Sequence, residues 1–154
     1  MGKLTRRVLL GVVSINLAVP IACGLAFFAL AAPPAVDVFR SPDCGCCGGW
    51  IEHMRLAGFT VNERLRDDPT PVKAQFGVPE DLYSCHTAVI DGYIIEGHVP
   101  AGDIRRLLRE RPAATGFAVP GMPAGSPGME VSDTAAPYDV ILFGPSERKR
   151  FSRH

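Results

Sequence analysis

The sequence carries no net charge, because 16 Lys+Arg balance 16 Asp+Glu. No segment gathers a basic stripe, which removes nucleic acid from the partners to consider. Aromatic residues are sparse, and the single tryptophan, Trp50, is read as core packing behind a turn. Cysteine is also scarce, with five in 154 residues. Three of the four beyond residue 31 crowd one turn, so the spacing of a disulfide framework is missing. Missing too is the second, well-separated Cys-x-x-Cys pair that a closed tetrahedral zinc site usually takes. These absences leave redox chemistry, a soft metal, or both.

The first segment is organised for export. Lys3, Arg6 and Arg7 precede an apolar run from Val8 to Ala32, and Ala29-Leu30-Ala31 supplies a small-x-small cleavage site. The run is also long enough to span a bilayer core of ~30 Å, so residues 1–31 are read as a signal peptide or an N-terminal membrane anchor. Thr5-Arg6-Arg7-Val8-Leu9-Leu10 resembles a twin-arginine signal, which leaves the export route open. Cys23 lies within the run and is read as a small apolar residue, since Pro20 stands where a lipoprotein signal carries Leu. Removing residues 1–31 takes away three basic side chains and leaves 13 Lys+Arg against 16 Asp+Glu. The expected location is the periplasm.

Residues 32–154 are expected to form one α/β domain. Pro33-Pro34 reads as an extended linker and Val36 to Phe39 as a buried strand. Ser41 or Asp43 is expected to cap a helix beginning near Cys44, with Trp50, Ile51 and Met54 on helical spacing and Gly58 at its end. Phe59 to Leu65 reads as a second strand and Thr70 to Phe76 as a short helix closed by Gly77. Thr87–Ile90 and Tyr93–Glu96 flank Asp91-Gly92, the signature of a type I′ hairpin. Pro100 to Arg111 then reads as a helix with Ile104, Leu107 and Leu108 on one face. A strand–helix–strand unit followed by a hairpin and helix is the thioredoxin arrangement, with Cys-x-x-Cys where the first strand meets its helix. Residues 112–136 read as a structured Gly/Pro/Met-rich loop, followed by a strand over Tyr138–Phe143 and a short last one near Phe151. Arg148-Lys149-Arg150 reads as a solvated charge run.

The chemistry rests on Cys44-Gly45-Cys46-Cys47. A helix N-terminus favours thiolate over thiol, so Cys44 and Cys47 suit either disulfide exchange or metal binding. Cys46 is surplus to a disulfide and is better explained as a ligand. Cys85 precedes the hairpin where thioredoxins carry their cis-proline loop, so it is expected to converge on the turn. Thiolates and thioethers are soft and select Cu(I). His86 and His98 flank the hairpin, and Met122 and Met129 lie in the Gly/Pro loop as thioether donors or an apolar lid. Each also has a plainer role as a backbone hydrogen-bonder or as loop packing. His53 is expected to be exposed and Met54 to be core.

Four ordered motifs carry a family resemblance: Ser41-Pro42-Asp43-Cys44-Gly45-Cys46-Cys47 with Trp50; Ser84-Cys85-His86-Thr87-Ala88; Glu96-Gly97-His98-Val99-Pro100; and Pro120-Gly121-Met122-Pro123 continued by Gly125-Ser126-Pro127-Gly128-Met129-Glu130. Together they resemble the CopG-type copper-resistance proteins across nearly all of Val36 to Phe143. The resemblance implies a periplasmic thioredoxin-like domain that binds copper and is linked to copper tolerance, with a metal set of Cys44, Cys46, Cys47, Cys85, His98, Met122 and Met129. It further implies Cu(I)/Cu(II) interconversion or copper transfer to other periplasmic resistance proteins; Cys44 and Cys47, one helical turn apart, are the expected redox pair. A thiol–disulfide oxidoreductase using Cys44 and Cys47 alone, and a metal chaperone without a redox step, stand as the alternatives. Against the first of these, His86 occupies the place of the cis-proline that keeps metals off thioredoxin thiols.

Overall fold

The computed structural model describes residues 34–130, 135–145 and 147–154. The expected export segment lies outside the described residues. Among those described, no helix is long and apolar enough to cross a membrane.

The elements follow in the order β1 (Val36–Arg40), α1 (Gly45–Leu56), β2 (Val61–Leu65), α2 (Thr70–Gln75), a 3-10 turn (Glu80–Leu82), β3 (His86–Ile90), β4 (Tyr93–Glu96), α3 (Ala101–Glu110), β5 (Gly116–Ala118), β6 (Asp139–Phe143) and β7 (Arg148–Arg153). They build one seven-stranded sheet in the order β2-β1-β3-β4-β5-β6-β7. β1 runs parallel to β2 and antiparallel to β3, and β3 pairs antiparallel with β4. The fold is mixed α/β, and, the 3-10 turn aside, its first seven strands and helices stand in the order expected.

Strand periodicity sorts the core into two layers. Val36, Val38, Ala88, Ile90, Ile95, Phe117, Val140 and Leu142 pack with Trp50, Ile51 and Met54 of α1 and Ile104 and Leu107 of α3. Their alternates Ile94, Ala118 and Phe143 pack with Val78 and Leu82 beyond α2. Helical segments therefore cover both faces. Asp91 and Gly92 turn the hairpin at φ 49° and 84°, as a type I′ turn requires.

Three expectations are corrected. Neither Ser41 nor Asp43 caps α1: Cys44 occupies the N-cap without a side-chain bond, and the Ser41 hydroxyl instead accepts the Asp43 N–H at 3.3 Å. The stretch read as loop contains β5, a three-residue strand made by pairing with β4 and β6 and invisible to alternation. The last strand begins at Arg148, so the basic run lies on it, with side chains exposed at the sheet edge. Such charge blunts an edge against pairing with other chains.

Candidate metal centre

The register of β1 on β3 builds the site. Arg40 lies opposite His86, so the turn leaving β1 and the loop entering β3 emerge side by side. That is why Cys85 reaches the cysteine turn from about forty residues away. The Sγ atoms of Cys44, Cys46, Cys47 and Cys85 all lie within 4.8 Å of one another. Cys44 and Cys47 form a disulfide, while Cys46 and Cys85 are free. Cys46 Sγ lies 3.6 Å from Cys44 Sγ and 3.8 Å from Met122 Sδ.

Two imidazoles bracket Cys85. His98 Nε2 lies 2.9 Å and His86 Nδ1 3.3 Å from its sulfur. The Pro127 carbonyl can only accept, so His98 Nδ1 donates to it at 2.7 Å. Neutral His98 therefore turns a bare Nε2 lone pair toward Cys85. Burial lowers the pKa of His98 and, more strongly, that of His86, whose charging His98, Lys73 and Arg40 also oppose. Burial first, and then neighbouring Cys46, pushes the Cys85 thiol up to about 12. Cys85 thus stands as a thiol facing neutral rings. His86 Nε2 is buried without a hydrogen-bond partner.

A third wall comes from the Gly/Pro loop. A Cβ on Gly49 of α1 would stand 2.8 Å from Gly128 Cα, and one on Gly128 would overlap the Trp50 backbone nitrogen. Only two glycines allow this approach, and Gly128 also needs its φ of +84°. The approach carries Pro127 to His98. Exposed Met122 stands beside Cys46, but Met129 enters the loop through its backbone: its N–H donates to Ser126 O at 2.8 Å and its carbonyl accepts from Gly125 N at 3.1 Å. Among the described residues, no sulfur contact like that of Met122 joins Met129 to the cysteines.

The cluster suits a soft metal, and the comparisons agree. Two solved structures, described as copper resistance protein copG in Form 2 and Form 1, align at TM-scores of 0.75 and 0.74. Each is 47% identical to this chain, covering 79% of it and 98% of the solved chain. The chain belongs to the CopG copper-resistance family. Residues 82–129 also match the family model described as a protein of unknown function, DUF411. No curated protein matches.

For this CopG-family chain, sequence reasoning missed two supports of the centre. His53, expected to be exposed, is half-buried and accepts the Ala101 N–H at 3.0 Å through Nε2, which caps α3. The second is an ion pair between Lys73 and Glu96, 3% and 0% exposed, with Nζ and Oε1 2.7 Å apart. A charged residue following Ile94-Ile95 in a buried strand was the available signal. Trp50 is core, as expected, and its indole donates to Val99 O at 2.8 Å while its ring centroid lies 4.4 Å from that of His86, the two planes tilted by 43°.

Proposed function

We propose that this chain is an exported copper-binding protein of copper resistance, working in the periplasm behind either a cleaved signal or a membrane anchor. Cys44, Cys46, Cys47 and Cys85 hold Cu(I) as thiolates, and His98, Met122 and Met129 complete the donor set. The observation that carries this reading is the meeting of four sulfurs from two chain segments within 4.8 Å. Soft donors at such density select Cu(I) and favour thiolates that bridge several ions over one tetrahedral ion. Of the two methionines, Met122 has the stronger support, standing 3.8 Å from Cys46.

The Cys44–Cys47 disulfide adds a redox reading. Oxidation of the two thiols forms the S–S bond and releases two protons and two electrons, which reduce two Cu(II) to two Cu(I). The reverse reaction consumes the disulfide and returns Cu(II). The alternative to this interconversion is transfer of the bound copper to other periplasmic resistance proteins. The reading predicts more than one Cu(I) per reduced chain in anaerobic titration and weaker binding in Cys46→Ser. A stoichiometry of zero, or no loss in that variant, contradicts it.

The same disulfide at the start of α1 favours a second reading, a thiol–disulfide oxidoreductase. Insulin reduction that survives loss of Cys46 favours it over the first. A copper redox assay separates both from a chaperone with no electron transfer.

A further inference from the structure

Taking a carboxylate and an ammonium out of water costs several kcal/mol per ion, and apolar residues of similar size often fill such a place as well. The surroundings of Lys73–Glu96 give the pair a task that apolar residues cannot perform. Glu96 Oε1 accepts from Lys73 Nζ at 2.7 Å and from the Ser84 N–H at 2.6 Å, and Oε2 accepts from the Thr87 hydroxyl at 2.7 Å. Lys73 also donates to Thr87 Oγ1 at 3.1 Å, closing a triangle of three buried side chains. Ser84 is the residue before Cys85.

The backbone of Glu96 faces the other wall of the centre. Its carbonyl accepts the Val119 N–H at 3.0 Å, at the end of β5, where the chain starts toward Met122. The Ser84 hydroxyl donates to the Gly121 carbonyl, and the Gly121 N–H donates to Tyr83 O at 3.3 Å. The next residue, Gly97, donates its N–H to the His86 carbonyl at 2.9 Å. A Cβ on Gly97 would stand 2.6 Å from both Ser84 Cβ and Val119 O. One residue thus ties together the Cys85 loop, the Met122 loop and the strand end that leads to His98.

We propose that Glu96 is a positioning residue for the metal centre, with Lys73 as the counter-charge that keeps it buried as an acceptor, and that together they hold Cys85 and Met122 against the cysteine turn. The working group is an acceptor atom at Oε1, and the charge is secondary. Two double variants separate these roles. K73M/E96Q removes both charges and keeps an oxygen for Ser84, whereas K73M/E96L removes the oxygen as well.

The test is the rate of Cys85 alkylation by iodoacetamide at fixed pH, read by peptide mass spectrometry with the Cys44–Cys47 disulfide intact. The expected result is roughly tenfold faster modification of Cys85 in K73M/E96L than in K73M/E96Q or the parent, through local opening of the Ser84 loop. Circular dichroism is expected to stay alike in all three. Equal Cys85 rates in the two folded variants overturn the proposal. Amide hydrogen exchange in the parent protein gives a second test that needs no variant: protection of the Ser84 N–H comparable to the β4 amides supports it, and free exchange overturns it.

A further arm rests on the copper reading. In competition with a chromophoric Cu(I) chelator, K73M/E96L is expected to bind about 10–100-fold more weakly than K73M/E96Q, as when an outer partner of a metal ligand is lost. Equal affinities count against positioning. If the parent itself binds no Cu(I), the copper reading fails, while the alkylation result still decides the role of Glu96.

Discussion

Two polar clusters lie side by side in this domain and are finished to different degrees. Around Glu96 every buried carboxylate oxygen has a donor, and the triangle with Lys73 and Thr87 closes on itself. Around Cys85, two neutral imidazoles face one thiol, His86 Nε2 has no partner, and Cys46 Sγ makes its contacts to the sulfurs of Cys44 and Met122. A satisfied buried network rigidifies its surroundings, whereas unsatisfied donor atoms can gain by binding something. The first cluster reads as a frame and the second as a receptor. Ser84 and Cys85, adjacent in sequence, mark the boundary between them.

The contrast can be broken first on the receptor side. Cys85→Ser leaves the frame intact and removes the one cluster cysteine supplied from outside the turn, so the largest expected effect is loss of most Cu(I) binding with little change in melting temperature. Anaerobic titration beside calorimetry checks both halves. On the frame side the signs reverse. Lys73→Met leaves a buried carboxylate without its counter-charge and is expected to cost about 3–5 kcal/mol in denaturant unfolding.

A smaller effect is expected at the hinge of the third wall. Gly128→Ala meets the Trp50 backbone and forces a side chain onto φ +84°, a strain of about 1–3 kcal/mol. It should loosen the Pro127 and Met122 loop, seen as faster amide exchange over residues 121–129, while the β3–β4 hairpin stays protected.

The smallest effect is a pH dependence. His86 and His53 have lowered folded pKa values, chiefly through burial. The unfolded chain therefore takes up protons first, at the ordinary value of 6.5. Their contribution to stability is full above that value and declines as pH falls below it. Melting temperature of the metal-free protein should drop on acidification from pH 7 toward 5, and less in His53→Gln. A rise would contradict the burial of these rings as neutral groups.

Much of the frame's scaffolding was legible in the sequence. Short apolar-rich runs marked β1, β3 and β4, Asp91-Gly92 marked the turn between the last two, and helical spacing marked α1 and α3. Cys85 could be placed because the expected strand order brings its loop to the cysteine turn. Three features could not be read this way. Gly116-Phe117-Ala118 is too short to show a period, and its strand character comes from its neighbours. Lys73 sits on a six-residue helix where a lysine ordinarily faces water, and its burial depends on Glu96 from another element. The tautomer of His98 is set by Pro127, whose place depends on two glycines meeting across the fold. Each is a long-range pairing that no local pattern encodes.

The measurement closest to the central claim is an anaerobic Cu(I) titration of the purified, fully reduced protein and its Cys46→Ser variant, read by metal analysis together with a thiol count. The expected result is more than one Cu(I) per chain in the parent, with protection of all four cluster thiols, and reduced uptake in the variant. A parent that binds no Cu(I), or a variant that binds as the parent does, would contradict it.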